Sequence, residues 1–273
     1  MIMEKLIIFT DLDGTLLDDT TYSFEKALPA LDLIRQSAIP LILCSSKTKT
    51  EIEYYRKKLA NSHPFVSENG GGIFIPKKYF DFPLYAVSFP IEEEADYKVI
   101  RLGARYSDLR SAVKELQLEG FEITGFGDMT AKELAAIANM AIDEAAMAKE
   151  RDFDEPFIYR GPDHELPRLF QSINQKGFTF TQGRFFHILG SSDKGITVSI
   201  LTDLYKRKYE NIKTIALGDS PNDIPMLERV DYPVCVQKHD GIYDPQINMP
   251  KLMWAEGIGP EGWNMAVLEL LGK

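Results

Sequence analysis

Short unbroken apolar runs alternate with segments whose apolar residues recur every three or four positions, and this order fills the first third of the chain. "KLIIF" (5–9) reads as a strand covered on both faces. "YSFEKALPALDLIRQ" (22–36) then places Phe24, Leu28, Leu31 and Ile34 at helical spacing, and "IPLILC" (39–44) is a second apolar run. "TKTEIEYYRKKL" (48–59) predicts a helix with Thr48 or Thr50 as its cap. "PFVS" (64–67) is a third run and leads into the Gly-rich "ENGGGIF" (68–74). The last third repeats the pattern: "KGITVSILTDLYKRKY" (194–209) predicts a helix, "KTIALGD" (213–219) a strand ending in an acid, and "NDIPMLERV" (222–230) a short helix. "DYPVCV" (231–236) is another strand, and "EGWNMAVLELL" (261–271) a closing helix. Strand and helix in alternation predict an α/β fold, a parallel sheet with crossover helices.

Between these thirds the texture changes. The apolar runs become broken and alternating, as in "YKVIRLGAR" (97–105), "FEITGF" (121–126) and "GRFFHIL" (183–189). "SDLRSAVKELQ" (107–117) and "TAKELAAIANMAIDEAAMAKE" (130–150) read as amphipathic helices. The pattern predicts an inserted α+β unit over residues 84–189 with mixed or antiparallel strands. Residues 1–83 and 190–273 then form the α/β core.

Composition adds limits rather than detail. The 273 residues are 44% hydrophobic, enough for one large domain or two modest ones. Lys and Arg (31) against Asp and Glu (41) leave a net charge of −10, which argues against general attraction to nucleic acid or an anionic membrane surface. An anionic substrate must therefore meet locally concentrated positive charge. Cys44 and Cys235 both sit inside apolar runs, where a cysteine behaves as a small buried hydrophobe, and two cysteines make no disulfide framework. No signal-peptide pattern precedes the first strand, and no apolar run approaches the ~20 residues that span a bilayer. The expected location is cytoplasmic; oligomeric state is not legible.

In an open parallel sheet, ligands bind at the carboxyl ends of the strands. Asp11 follows the first strand, Ser45 and Ser46 the second, and Asp219 the strand "KTIAL". Taken alone, "DLDGT" (11–15) is an Asp-rich turn with Gly14 supplying a positive φ, and "GDSPND" (218–223) is a turn as well. Taken together, Asp11, Asp219 and Asp223 crowd three carboxylates, each raising the others' cost of ionisation. A bound divalent cation removes that conflict, and an all-oxygen donor set suits a hard ion such as Mg²⁺. Lys194 stands at the predicted start of a helix, against the macrodipole, so it needs a compensating anion: phosphate or the Asp11 carboxylate.

These four elements, in this order and strand context, resemble the motifs of the haloacid dehalogenase-like phosphatases: "DLDGT", Ser45 after "LILC", Lys194 and "GDSPND". More narrowly, "LCSSKT", "SENGGGIF", "FGDMT", "DEPF", "GRFFHI", "DKG" and "GPEGW" resemble the mannosyl-3-phosphoglycerate phosphatase subfamily. After "FGDMT" the chain departs from that subfamily, reading "AIANMAID" where a Thr-Gly-Leu is common.

The resemblance implies a Rossmann-like core with an inserted cap of the C2B type and a Mg²⁺-dependent phosphatase of a glycosyl-3-phosphoglycerate. It implies Asp11 as nucleophile, Asp13 as acid and base, and Mg²⁺ held by Asp11, Asp219 and the Asp13 carbonyl, with Asp223 supporting a metal-bound water. Ser45 would donate to a phosphoryl oxygen and Lys194 would balance charge. For the substrate's far end, which carries a carboxylate, the candidates are Ser46, Lys47, Arg184 and His187, with Asn69 near the Gly-rich turn. Lys47 and Arg184 also read as surface charges, and His187 as a cover for the adjacent "FF" pair. Asp18 and Asp19 read as solvated loop residues, and Glu261 and Trp263 as an anchor for the last helix. The competing readings are a phosphatase of sucrose phosphate or hexose phosphates, a phosphomutase, and a non-catalytic sugar-phosphate binder.

Overall fold

The computed structural model describes residues 4–84 and 88–272. Nine strands form one sheet in the order β13-β12-β11-β1-β2-β3-β4-β6-β5. In its interior β1 (Lys5–Thr10) pairs in parallel with β2 (Leu41–Cys44) on one side and β11 (Ile212–Gly218) on the other. Beyond β2 lies β3 (Phe65–Ser67), and beyond β11 lie β12 (Tyr232–Gln237) and β13 (Met253–Ile258), all parallel. Side chains alternate across the sheet, and both faces are buried. Ile8, Leu41, Leu43, Phe65 and Leu217 enter one core with α1 (Leu28–Gln36), α2 (Lys49–Lys58) and α9 (Pro260–Leu270). Ile7, Phe9, Ile42, Val66 and Ala216 enter the other with α7 (Lys194–Tyr209) and α8 (Ile224–Leu227). That double covering is why the central strands read as unbroken apolar runs.

The sheet then turns antiparallel through β4 (Gly72–Pro76), β6 (Tyr97–Arg101) and β5 (Ile91–Glu93). The sequence pattern places the changeover at residue 84 and "YKVIR" in the insertion; instead β5 and β6 extend the large sheet, because Val99 and Ile100 are buried against the faces that β4 opens. The separate unit begins with α3 (Tyr106–Leu118) and carries a four-stranded sheet of β7 (Ile123–Gly125), β8 (Asp154–Tyr159), β10 (Phe186–Leu189) and β9 (Thr179–Gln182), in that order and antiparallel throughout. α3 and α6 (Leu166–Gln175) pack on it through Leu109, Val113, Leu169 and Ile173. The segment expected as one long helix is two, α4 (Ala131–Ala138) and α5 (Ile142–Ala148), broken where Asn139 adopts a left-handed conformation at φ 50°. Asn tolerates that conformation through local hydrogen bonding, and here it turns the chain. No helix among the described residues is long and apolar enough to cross a membrane.

Candidate active site

Three strand ends meet at one edge of the large sheet. The backbone N–H of Asp11 still donates to the Leu217 carbonyl at 3.0 Å, so β1 and β11 stay in register until both run out at acids, Asp11 and Asp219. Between β1 and the first helical turn, Gly14 takes φ +75°, and a Cβ there would lie 2.8 Å from Asp219 Oδ2. A glycine is required on both counts.

Lys194 opens α7 and is wholly buried. Its ammonium donates to Asp11 Oδ1 at 2.6 Å and to Asp223 Oδ1 at 2.7 Å, so the anion that its place at a helix N-terminus demands is supplied twice. Burial alone would lower its pKa; the two carboxylates outweigh that and hold it above the ordinary lysine range. Asp11 is pushed well up by burial, opposed by Lys194 and reinforced by the charges of Asp223 and Asp219. Asp219 is pushed up to about 7, first by burial and then by Asp223, against hydrogen bonds from Ser220 and Thr15. Asp11, Asp219 and Asp223 bring carboxylate oxygens within 4.8 Å of one another. Two buried carboxyls held up in this way suit a divalent cation, which replaces the protons that otherwise relieve the crowding. Asp223 contributes differently from the other two: Oδ1 is taken by Lys194, and Oδ2 accepts the backbone N–H groups of Asp219 and Ser220.

Asp13 turns away from Asp11 and pairs with Lys47, at 3.0 Å. Lys47 is no surface charge: it is buried, bonded also to Glu51 at 3.5 Å and flanked by the rings of Tyr22 and Tyr55. The Asp13 carboxyl is pushed up by loss of water, with Lys47 pulling the other way. Ser45 is buried at the end of β2; its Oγ accepts the Lys47 N–H at 3.2 Å and keeps its own proton to give. Cys44 lies buried behind it, its thiol pushed up by burial, as the sequence reading of both cysteines requires.

A cavity of about 210 Å³ opens over Asp11, Asp13 and Asp219 and is bounded by Ser46, Asn222 and Arg184. A second, of about 60 Å³, adjoins it under the small sheet, sharing Asp13, Tyr22, Ser46 and Arg184 and adding Lys47, Arg151 and His187. Arg184 bonds the Tyr22 hydroxyl at 3.1 Å and the Ala138 carbonyl at 2.7 Å, joining the small-sheet unit to the loop after β1. Asn69 is brought close but does not line either cavity. Its Nδ2 donates to Asp154, and its Oδ1 accepts from Asn222 at 3.0 Å, so both ends are used within the protein. Asp18 accepts from Thr20 and Thr21 in a local turn, as a solvated loop residue does. Trp263 anchors α9, wholly buried with its indole N–H on Thr10, while Glu261 pairs with Lys26 at the surface.

Arg151 and Asp154 escape sequence reading, although "RDFDE" at the head of an apolar strand is a visible anomaly: charged residues where the pattern calls for core. Asp154 is completely buried, with Arg151 at 2.6 Å.

The sequence matches a family model of haloacid dehalogenase-like hydrolases over residues 8–100 and 158–240. It is 46% identical over 271 residues to a glucosyl-3-phosphoglycerate/mannosyl-3-phosphoglycerate phosphatase of Methanococcoides burtonii, covering 98% of each chain. A protein of the same description from Persephonella marina is 39% identical, again over 98% of both. Among solved structures, one from Thermoplasma acidophilum superposes with a TM-score of 0.69 over 98% of each chain at 15% identity.

Proposed function

The chain belongs to the haloacid dehalogenase-like hydrolases and is a phosphoric monoester hydrolase, and from that premise we propose that it hydrolyses mannosyl-3-phosphoglycerate or its glucosyl counterpart to the glycosylglycerate and phosphate. One observation carries the chemistry: a wholly buried lysine bridges Asp11 and Asp223 beside Asp219, under a cavity that Asp13 also faces. A binder of sugar phosphates has no use for a nucleophile held by a buried cation with a separate acid one residue away. The substrate assignment is supported by the two relatives that match end to end.

In this reading Asp11 attacks phosphorus. Its Oδ1 is held by Lys194, which fixes the carboxylate's orientation and balances the charge that develops on the phosphoryl group. An O–P bond forms to Asp11 as the ester P–O bond breaks, and Asp13 gives its proton to the departing alcohol oxygen. A carboxyl pushed up by burial holds that proton more readily than an exposed one. Water then attacks phosphorus, giving a proton to Asp13, and as its O–P bond forms the bond to Asp11 breaks and phosphate leaves. Ser45 and Lys194 contact the phosphoryl oxygens throughout. Asp11 and Asp219, with the Asp13 main-chain carbonyl, would hold Mg²⁺, which when bound draws charge from the phosphoryl oxygens. Asp223 acts by holding Lys194 and the Asp219 loop. The unit built on the small sheet serves as the specificity cap, and Arg184, His187 and Ser46 face the substrate's far end; Lys47, already paired with Asp13 and Glu51, keeps Asp13 aimed at the leaving oxygen.

The test is phosphate release with Mg²⁺ from mannosyl-3-phosphoglycerate, glucosyl-3-phosphoglycerate, sucrose phosphate and hexose phosphates, with Asp11→Asn alongside. The expected preference is for the first two, and loss of turnover in the variant. Preference for sucrose or hexose phosphates overturns the substrate, and turnover by Asp11→Asn overturns the covalent route.

A further inference from the structure

The turn between β3 and β4 contains two successive non-glycine residues in the left-handed region, Glu68 at φ 48° and Asn69 at φ 55°, followed by Gly70 at φ 97°. Such a conformation persists only where surrounding contacts over-determine it, and it marks places where strain is put to use. The contacts here are specific. The Glu68 carboxylate accepts the backbone N–H groups of Asp152, Phe153 and Asp154, at 3.1, 2.8 and 2.9 Å, and so clasps the start of β8. Asn69 reaches Asp154 itself, donating to Oδ2 at 3.0 Å.

Asp154 is thereby the centre of a knot. Its carboxylate also accepts from Arg151 at 2.6 Å and faces His187 Nδ1 at 2.9 Å, so three donors from three separate segments converge on one completely buried anion. From those donors the bonding runs on to the substrate cavities. Arg151 holds the Ser46 carbonyl at 2.8 Å, Asn69 holds Asn222, and with Nδ1 turned to Asp154 the other ring nitrogen of His187 is left for the cavity that His187 lines. None of Asp154's own hydrogen bonds goes to Asp11, Asp13, Lys194 or Asp219.

We infer that Asp154 is a positioning residue for substrate selectivity: it fixes the spacing of Ser46, Arg151 and His187 around the part of the substrate beyond the phosphate. This rests on the glycosyl-phosphoglycerate reading above. An ionised carboxylate is needed because only it can accept from a guanidinium, an amide and an imidazole at once. Asparagine offers one acceptor oxygen and must release at least one of the three. Such outer supports matter because a ligand-facing side chain is only as well placed as the group behind it.

The experiment compares kcat/KM for mannosyl-3-phosphoglycerate with that for p-nitrophenyl phosphate, which carries a phosphate but no glycerate or sugar, in the wild type and in Asp154→Asn with Mg²⁺. The ratio of the two is expected to fall roughly tenfold or more in the variant, through a raised KM for the glycosyl ester. A variant that is merely less well folded loses both activities by the same factor, and that result overturns the inference. A wild type without preference for the glycosyl ester overturns the substrate reading and this inference with it, and it is recognised from the wild-type data alone. Should Asp154→Asn fail to fold, Arg151→Lys is judged by the same ratio: it keeps a cation beside Asp154 but loses the planar fork that reaches the Ser46 and Ala148 carbonyls.

Discussion

Replacing Lys194 by methionine removes the charge from the centre of the site and leaves an apolar side chain in its place. The ammonium lies 2.6 Å from Asp11 and 2.7 Å from Asp223, with no exposed surface. Removing one partner from a buried ion pair costs about 3–5 kcal/mol. A second route gives a similar figure and adds a pH dependence. Without the ammonium the folded site keeps one proton more than the wild-type site does, on a carboxyl that in the unfolded state ionises at its ordinary pKa of ~3.9. Keeping that proton costs about 1.4 kcal/mol per pH unit, hence about 1.5 kcal/mol at pH 5 and about 4 at pH 7. The sign follows from proton counting: above ~3.9 the folded variant binds more protons than the unfolded chain, so its stability falls as pH rises. Urea unfolding of wild type and variant without metal, at pH 5 and pH 7, measures both values. A deficit that is equal at the two pH values, or below about 1 kcal/mol at pH 7, refutes the electrostatic account. Phosphate release should fall by about a thousandfold or more, the scale set by losing a positioned charge at the reacting group.

With Asp219 pushed up to about 7, a divalent cation must displace a proton at lower pH. Mg²⁺ should therefore stabilise the fold by about 2.7 kcal/mol at pH 8 at a hundredfold excess over Kd, and by less at pH 5.5, read as a larger rise in melting temperature at the higher pH; equal shifts would contradict the assignment. Gly14→Ala drives a methyl to within 2.8 Å of Asp219 Oδ2 at a φ of +75°, so thermal melts should show about 1–3 kcal/mol of destabilisation and a weaker response to Mg²⁺. Trp263→Phe leaves Thr10 without the indole N–H at 2.9 Å, and the unfolding free energy from urea titration should drop by about 1–3 kcal/mol.

The proposed reacting centre was legible because its signals are local. An apolar run covered on both faces ends in an acid at Asp11 and again at Asp219, and a lysine at a helix start announces its own need for an anion. The periphery was not, for two physical reasons. Burial of an alternating strand depends on its neighbour: "YKVIR" and the edge strand β13, with Trp254 exposed and Ala255 buried, carry patterns that fit either a core sheet or an insertion. The helical period of residues 130–150 runs straight through Asn139, and only the backbone conformation there shows the break. The Asp154 knot lay further out of reach, since two of its three partners stand 33 and 85 positions away and no spacing rule joins them.

The place of β1 in the sheet has a consequence for how the protein comes into being. Its two neighbours are the second strand and the eleventh, and the bonds that complete the proposed reacting centre span 183 residues from Asp11 to Lys194 and 204 from Thr15 to Asp219. On the ribosome, β1 and β2 can pair early, yet one edge of β1 must wait until β11 has emerged. Contacts of such separation form late and slowly. Until then Asp11 has neither its lysine nor its acidic neighbours and remains an ordinary hydrated carboxylate. In the proposed mechanism activity therefore arrives with the last stage of folding, and a truncated nascent chain carries the proposed nucleophile without the means to use it.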